Sequence, residues 1–386
     1  MNDFSFCPNC GNRLDATDAF CKHCGHAVST NGVPNNYNIN GNSNSTNGEK
    51  QSIYDRLNDY VGNTGSKELN WKDLFTDVFK SHAADEAESI FICGTKATTP
   101  PLSRVSSTWP KPWLYSRVFL VFAIAFILLK ICWDCFSNIN VIPGLIMVGA
   151  FAVPLTTLIL FLEVNAFRNI SLYNVIRVFF IGGCASLVVT LFLFSAFIEP
   201  SEGNPTFINA CIIGVVEELA KAFVVFFIMK NMLRCRYILN ALLVGTAVGA
   251  GFAAFESAGY AFVVLLSNLG YEGVDAMSEM MNNIYMRGFL APGGHVTWAA
   301  ISAVAILRAN GRGSLESSIF LTRKFWKIFI IPVVCHALWD MPIGIGQEIY
   351  LQYWLLLIAI WVIVLIFINM GLNEVKQLNN SNNENM

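Results

Sequence analysis

From Trp113 onward the chain is a succession of apolar stretches near twenty residues each, centred on 114–133, 141–162, 175–198, 207–229, 238–266, 289–309, 325–345 and 351–371. A helix rises 1.5 Å per residue, so each stretch is about long enough to cross the roughly 30 Å hydrocarbon core of a bilayer. These eight stretches predict an all-α polytopic membrane protein with about eight transmembrane helices. The composition agrees: 54% of the 386 residues are hydrophobic and 13% charged, against roughly a quarter charged in an average soluble domain. A formal net charge of -2 argues against a nucleic-acid binder that works through bulk positive charge, and no nucleic-acid partner is expected.

Lys and Arg in the connections set the orientation. Arg104, Lys111 and Arg117 precede the first stretch, and Arg168 and Arg177 join the second to the third. Lys230, Arg234 and Arg236 join the fourth to the fifth; Arg308, Arg312, Arg323, Lys324 and Lys327 join the sixth to the seventh. The alternate connections carry almost no base, and the acidic 267–288 loop has only Arg287. Both termini are therefore expected in the cytoplasm, consistent with a polar start, Met1 to Phe20, that has no apolar core of signal-peptide type.

Ahead of the membrane region the composition changes three times. Residues 1–28 are Cys-rich, and 29–50 form an Asn/Gly/Ser linker expected to be flexible. Residues 51–112 read as a short soluble helical segment: Trp71, Leu74, Phe75, Val78 and Phe79 recur at helical spacing. They predict an amphipathic cytoplasmic helix that packs on the membrane domain or lies at the lipid surface. Pro100, Pro101, Pro110 and Pro112 break helix before the first span. Residues 373–386, polar and rich in Asn, read as a disordered tail.

Cys7-Pro-Asn-Cys10 and Cys21-Lys-His-Cys24 are two CxxC knuckles, each followed by glycine. Four thiolates at this spacing can close a tetrahedron around zinc, and a unit this small has too little core to fold without metal. The unit resembles the short zinc ribbons at the N-termini of many bacterial membrane proteins. Four protein ligands leave zinc no open position, so the expected zinc is structural, and the ribbon is expected to meet a cytoplasmic partner.

Charge inside a bilayer is costly, about 2.5 to 3.5 kcal/mol per Asp or Lys on insertion scales, so intramembrane ionisable residues are candidate functional groups. Glu217, Glu218 and Lys221 lie in the fourth stretch, Glu256 and Tyr260 in the fifth, His295 early in the sixth, and His336 and Asp340 in the seventh. Glu217 and Lys221, and His336 and Asp340, are i, i+4 pairs that share a helix face. With alternating orientation, Glu217, Glu256, His295 and His336 can occupy one layer roughly 9 to 15 Å below the outer surface. Plainer readings also exist: an intrahelical ion pair in the fourth span, a structural His336–Asp340 hydrogen bond, or Glu256 and Tyr260 serving only to hold neighbouring groups in place.

The EExxK of Glu217–Lys221, the FExxxY of Phe255–Tyr260, the PGGHVTW around His295 and the HxxxD of His336–Asp340 resemble the motif set of the PrsW family of bacterial intramembrane proteases, relatives of the type II CAAX prenyl endopeptidases. The resemblance implies a transmembrane protease domain over 113–372, a multi-pass protein of the bacterial plasma membrane, and membrane-tethered protein substrates such as anti-sigma factors. No HExxH, GxGD or GxSG occurs on a span, which disfavours other intramembrane protease chemistries.

Peptide hydrolysis needs a base for water, an acid for the amine and donors for the oxyanion. Glu217 or Glu218 can be the base, with His295 and His336 assisting and Asp340 orienting His336. Alternatively Glu217, His295 and His336 make an open three-ligand metal site. The neighbouring Lys221 opposes a dication and tilts this reading toward the metal-free, glutamic version. A proton- or ion-coupled transporter would use such groups as a relay, but no inverted repeat is visible. A catalytically inactive scaffold would not need so complete a constellation.

Overall fold

A computed structural model of the chain describes residues 5–6, 13–14, 52–66, 68–197, 206–232, 235–310, 315–341, 343 and 350–384, in two units, 1–51 and 52–386. In the first, β1 (Ser5–Phe6) and β2 (Arg13–Leu14) pair antiparallel, Ser5 opposite Leu14 and Phe6 opposite Arg13. This short ladder brackets the first CxxC knuckle. The four cysteines and the 29–50 linker lie outside the described residues.

The second unit is helical. Its first part holds α1 (Ile53–Val61), α2 (Asp73–Thr76) and α3 (Ala84–Phe91). The Ser52 side chain accepts from the Asp55 N–H at the start of α1, and Gly62, at φ 78°, turns the chain out of it. The amphipathic helix expected across 71–79 is not formed: only the single turn of α2 is helical there. Tertiary bonds replace the helical ones. The Tyr115 hydroxyl donates to the Leu74 carbonyl at 3.1 Å and Arg117 to the Lys80 carbonyl at 2.9 Å, tying the segment to the start of the first span. Leu74 is buried there, whereas Trp71, Phe75 and Phe79 are 50%, 56% and 94% exposed. His82 stacks on Trp113 with ring centroids 3.9 Å apart. Its hydrogen bonds to the Asp77 carbonyl and the Glu86 carboxylate hold the imidazole above its ordinary range.

The long helices follow in the expected order: α4 (Leu114–Phe136), α5 (Ile142–Val164), then α6 (Leu172–Arg177), which passes through a π turn at Val178–Gly182 into α7 (Gly183–Phe197). After them come α8 (Phe207–Asn231), α9 (Ile238–Asn268), α10 (Ala276–Leu290), α11 (His295–Asn310), α12 (Arg323–Asp340) and α13 (Leu351–Glu384). Among the described residues six helical stretches are long and apolar enough to cross a membrane: 114–136, 139–164, 172–196, 238–268, 276–310 and 351–381. The other two expected spans are helices as well, α8 and α12. They fall short on composition because α8 carries Glu217, Glu218 and Lys221, and α12 carries Arg323, Lys324, Lys327 and Asp340.

Two further expectations need correction. The acidic 267–288 segment is not simply a loop: from Ala276 it is α10, which runs through a 3-10 turn at Ala291–Gly293 to His295, so that His295 opens α11 instead of lying a turn and a half inside it. The polar tail is not disordered through its described part, since α13 stays helical to Glu384. Its polar residues have partners in the fold. Glu374 accepts from the Ile238 N–H at 2.9 Å, and the Asn379 side chain donates to the Val105 carbonyl at 2.9 Å.

α9 is the central element, packed on α5, α7, α10 and α11, and its residues from Ile238 to Ala254 are all buried. α4 is the opposite case: none of its apolar window is buried within the protein, which leaves it to face lipid. Small residues let the helices that carry the polar groups approach closely, a device suited to lipid, where burial of apolar surface does not drive helix association. A Cβ added at Gly249 of α9 would stand 2.2 Å from the His295 carbonyl oxygen, and one at Gly214 of α8 would stand 2.9 Å from the Ala337 backbone nitrogen. Two glycine contacts thus set the spacing of α9 to α11 beside His295, and of α8 to α12 beside His336.

Candidate functional site

α8 supplies the centre of the cluster. Its helical period puts Glu217, Glu218 and Lys221 on the inward side, where they are 5%, 0% and 0% exposed. The Lys221 ammonium is 2.8 Å from Glu218 Oε1 and 3.3 Å from Glu217 Oε2. It also donates to His295 Nδ1 at 2.8 Å and lies 4.2 Å from the centre of the Phe252 ring. A buried ammonium with one neutral and two carboxylate acceptors and an aromatic face is well compensated.

Each histidine is held by a carboxylate. His336 Nδ1 is 2.9 Å from Glu218 Oε1, and His295 Nε2 is 2.9 Å from Glu256 Oε2. The remaining nitrogens turn toward Glu217: His336 Nε2 is 3.7 Å and His295 Nδ1 3.9 Å from Glu217 Oε2. The two imidazoles lie 5.0 Å apart, and Trp298 stacks on His336 at 4.5 Å. Asp340 Oδ2 approaches His336 Nε2 at 3.4 Å from the edge of the cluster, where its side chain is a quarter exposed. Glu218 Oε2 is buried and has no hydrogen-bond partner among the described residues.

The structure therefore brings seven of the eight sequence-predicted residues into one connected network of Glu217, Glu218, Lys221, Glu256, His295, His336 and Asp340. Tyr260 joins only indirectly: its ring is 4.5 Å from the Arg287 guanidinium and half exposed. Arg287 itself was not anticipated. It reaches in from α10, forms an ion pair with Glu256, and donates through Nε to Ser257 Oγ at 2.9 Å. The one signal for it in the sequence was its place as the lone base in the 267–288 segment. Phe252 and Trp298 were also missed, although each lies one helical turn from an identified residue, Glu256 and His295.

Glu217, His295 and His336 each offer one donor atom, all within 4.8 Å of one another. Two imidazole nitrogens and a carboxylate oxygen are a donor set suited to zinc with an open position. Both imidazoles also have the second nitrogen tied to a carboxylate, the usual support of a metal-ligating histidine. Charge points the same way. With the four carboxylates ionised and the histidines neutral, Lys221 and Arg287 leave two negative charges uncompensated, which a dication or two protons would balance. The residues fit a divalent metal on these grounds once Lys221, which stands 2.8 Å from His295 Nδ1 and 3.3 Å from Glu217 Oε2, gives up those two contacts and keeps the one to Glu218.

A bundle of long apolar helices thus encloses a buried cluster of carboxylates and histidines, three of which converge as metal-type donors. A family model described as PrsW family intramembrane metalloprotease matches residues 171–368, and a zinc-ribbon domain model matches residues 6–28. The chain belongs to the PrsW family and is a multi-pass membrane protein with an N-terminal zinc-ribbon domain. No curated protein and no solved structure matches it.

Proposed function

We propose that the chain is an intramembrane endopeptidase that hydrolyses peptide bonds of membrane-tethered proteins, anti-sigma-factor-like regulators among them, at the Glu217–Glu218–His295–His336 cluster. The observation that carries this is the convergence of two carboxylate-supported imidazoles on Glu217 in a buried layer. Glu217, His295 and His336 would hold a divalent metal, which when bound supplies a Lewis acid and a water of lowered pKa. Glu218 fixes His336 through Nδ1, and its unpartnered Oε2 is the atom we assign to take the proton from the attacking water. Glu256 fixes His295 through Nε2. Lys221, 2.8 Å from Glu218 Oε1, compensates its charge in an apolar setting. Tyr260 and Asp340 stand at the rim, where the outer end of the cluster meets substrate.

One observation favours a metal-free second reading. The Lys221 ammonium already bonds His295 Nδ1 and Glu217 Oε2, and His336 stands between Glu218 and Asp340, as a doubly donating imidazolium would. In that case two protons balance the cluster, and Glu217 activates water.

In the proposed orientation both termini and the Cys7, Cys10, Cys21 and Cys24 zinc site are cytoplasmic, where the ribbon would meet a cytoplasmic partner. The test is cleavage of a single-span protein co-reconstituted in liposomes with the purified chain, with product ends read by mass spectrometry. Wild type should cut within or beside the span, and Glu217→Gln, Glu218→Gln and His336→Ala should not; equal cleavage by these variants would refute the assignment.

A further inference from the structure

We propose that the cleft at the Lys/Arg-rich end of α4 and α5 is a binding site for a phosphate-bearing anion, of the kind an acidic phospholipid headgroup presents. The cleft has a cavity volume of about 350 Å³, within the range of small-ligand sites. It shares no lining residue with the Glu217 cluster, so it is a separate site. Arg104, Lys111 and Arg168 line it together with Thr108, Trp113 and Glu163.

The charge balance of this lining is what points to an anion. Its one carboxylate, Glu163, is already committed: Oε1 accepts from the N–H groups of Trp113 and Leu114, and Oε2 from that of Tyr115, all at 2.9 Å. It thereby satisfies the otherwise unpaired donors at the start of α4. The three cations, by contrast, make no hydrogen bond or ion pair among the described residues; Glu163 acts on Arg168, and Asp77 on Lys111, only through space. Three uncommitted cations around one concave surface suit a phosphate, which guanidinium groups bind through paired N–H donors.

Position adds a second, independent argument. Trp113 is the residue before α4, and Glu163 is the last but one of α5, so the cleft lies where spans meet headgroups. α4 buries none of its apolar window in the protein, and Phe119 and Leu120 on it are about half exposed. The exposed Trp71, Phe75 and Phe79 sit on the segment that Tyr115 and Arg117 fasten to the same helix end. A basic cleft flanked by exposed aromatic and aliphatic surface matches a lipid with its headgroup in the cleft and its chains along the protein.

The experiment is native mass spectrometry of the full chain released from detergent, titrated with dioctanoyl phosphatidylglycerol, dioctanoyl phosphatidylcholine or inorganic phosphate. Wild type should bind the anionic lipid tighter than the zwitterionic one. The Arg104→Gln, Lys111→Gln, Arg168→Gln triple variant should bind it on the order of a hundred-fold more weakly, from about fivefold for each cation near a membrane surface. All three side chains are exposed, so folding should survive, and an unchanged melting temperature checks this; Lys111→Gln alone, with about a fivefold loss, serves if the triple variant does not fold. Displacement of the lipid by millimolar phosphate would assign the site to a soluble phosphate compound, and resistance to it would assign the site to lipid. Phosphatidylglycerol binding within twofold of wild type in the triple variant, or equal binding of phosphatidylcholine by wild type, would overturn the proposal. Cleavage activity does not enter the readout.

Discussion

Gly249→Ala isolates the claim that the site depends on how closely α9 approaches α11. The added Cβ would stand 2.2 Å from the His295 carbonyl oxygen and 2.8 Å from Ala299 Cβ. To regain ordinary contact at 3.4 Å, the two backbones must part by about 1.2 Å beside His295. The contact atom is backbone carbonyl, so no side chain can swing away. Overpacking of this kind costs about 1 to 3 kcal/mol, offset in part by the better helix propensity of alanine, about 1 kcal/mol. The net loss of stability should therefore be about 0 to 2 kcal/mol. Activity should change much more, because His295 is held through Nε2 by Glu256 at 2.9 Å and presents Nδ1 to the cluster 3.9 Å from Glu217, and a displacement near 1 Å breaks that placement. Misplacement on that scale costs on the order of a hundred-fold in rate. The control is Gly259→Ala on the same helix, where an added Cβ meets nothing within 4 Å. Initial cleavage rates of the liposome substrate, normalised to monodisperse protein, should fall about a hundred-fold for Gly249→Ala and stay at wild type for Gly259→Ala. Equal rates in the two variants would refute the reasoning.

Other outcomes follow from the same geometry. Arg287 is a positioning residue for Glu256, so Arg287→Ala should lower kcat by about 10- to 100-fold with KM nearly unchanged, and Arg287→Lys should recover part of it; a pure KM effect would show contact with substrate instead. His82 has a folded pKa above its ordinary value because of Asp77 and Glu86, so its contribution to stability is complete below about pH 6.5 and is lost as pH rises through the higher folded value. The melting-temperature gap between wild type and His82→Asn should accordingly be wider at pH 6 than at pH 9, and a gap independent of pH would disprove the coupling. Cys10→Ser should release about one equivalent of zinc while the helical unit keeps its melting temperature; a destabilised helical unit would show that the ribbon is not a separable module.

What the sequence discloses depends on whether the relevant contact is local. Glu217 with Lys221 and His336 with Asp340 are one helical turn apart, so the helix period alone pairs them. That His295 and His336 meet was also legible, because polar groups placed similarly along spans of alternating direction can share a layer, and their rings lie 5.0 Å apart. Arg287 was not legible in the same way: it is 31 residues from Glu256, and only the folding of 276–290 into α10 carries it inward. The helical period of Trp71 to Phe79 misled for the converse reason. Its carbonyls at Leu74 and Lys80 found donors on α4, so a continuous helix was not needed to satisfy them. The polar end of α13 looked unstructured by composition, yet Glu374 caps α9 and Asn379 reaches Val105. Hydropathy similarly undercounts α8, since Glu217, Glu218 and Lys221, which make it polar, are groups of the site; in α12 Asp340 adds to the basic Arg323, Lys324 and Lys327 of its first turns.

The central claim, hydrolysis at a metal held by Glu217, His295 and His336, is tested most directly by metal content and activity measured on one preparation. The protein for this is the full chain with Cys7, Cys10, Cys21 and Cys24 replaced by Ser, so that ribbon zinc does not enter the count. The account predicts about one divalent ion per chain, lost in both His295→Ala and His336→Ala, together with cleavage that a chelator abolishes and added metal restores. Undiminished cleavage by that protein after its metal content has fallen to zero would contradict the account, and would leave the Glu217 and Lys221 arrangement as a metal-free centre.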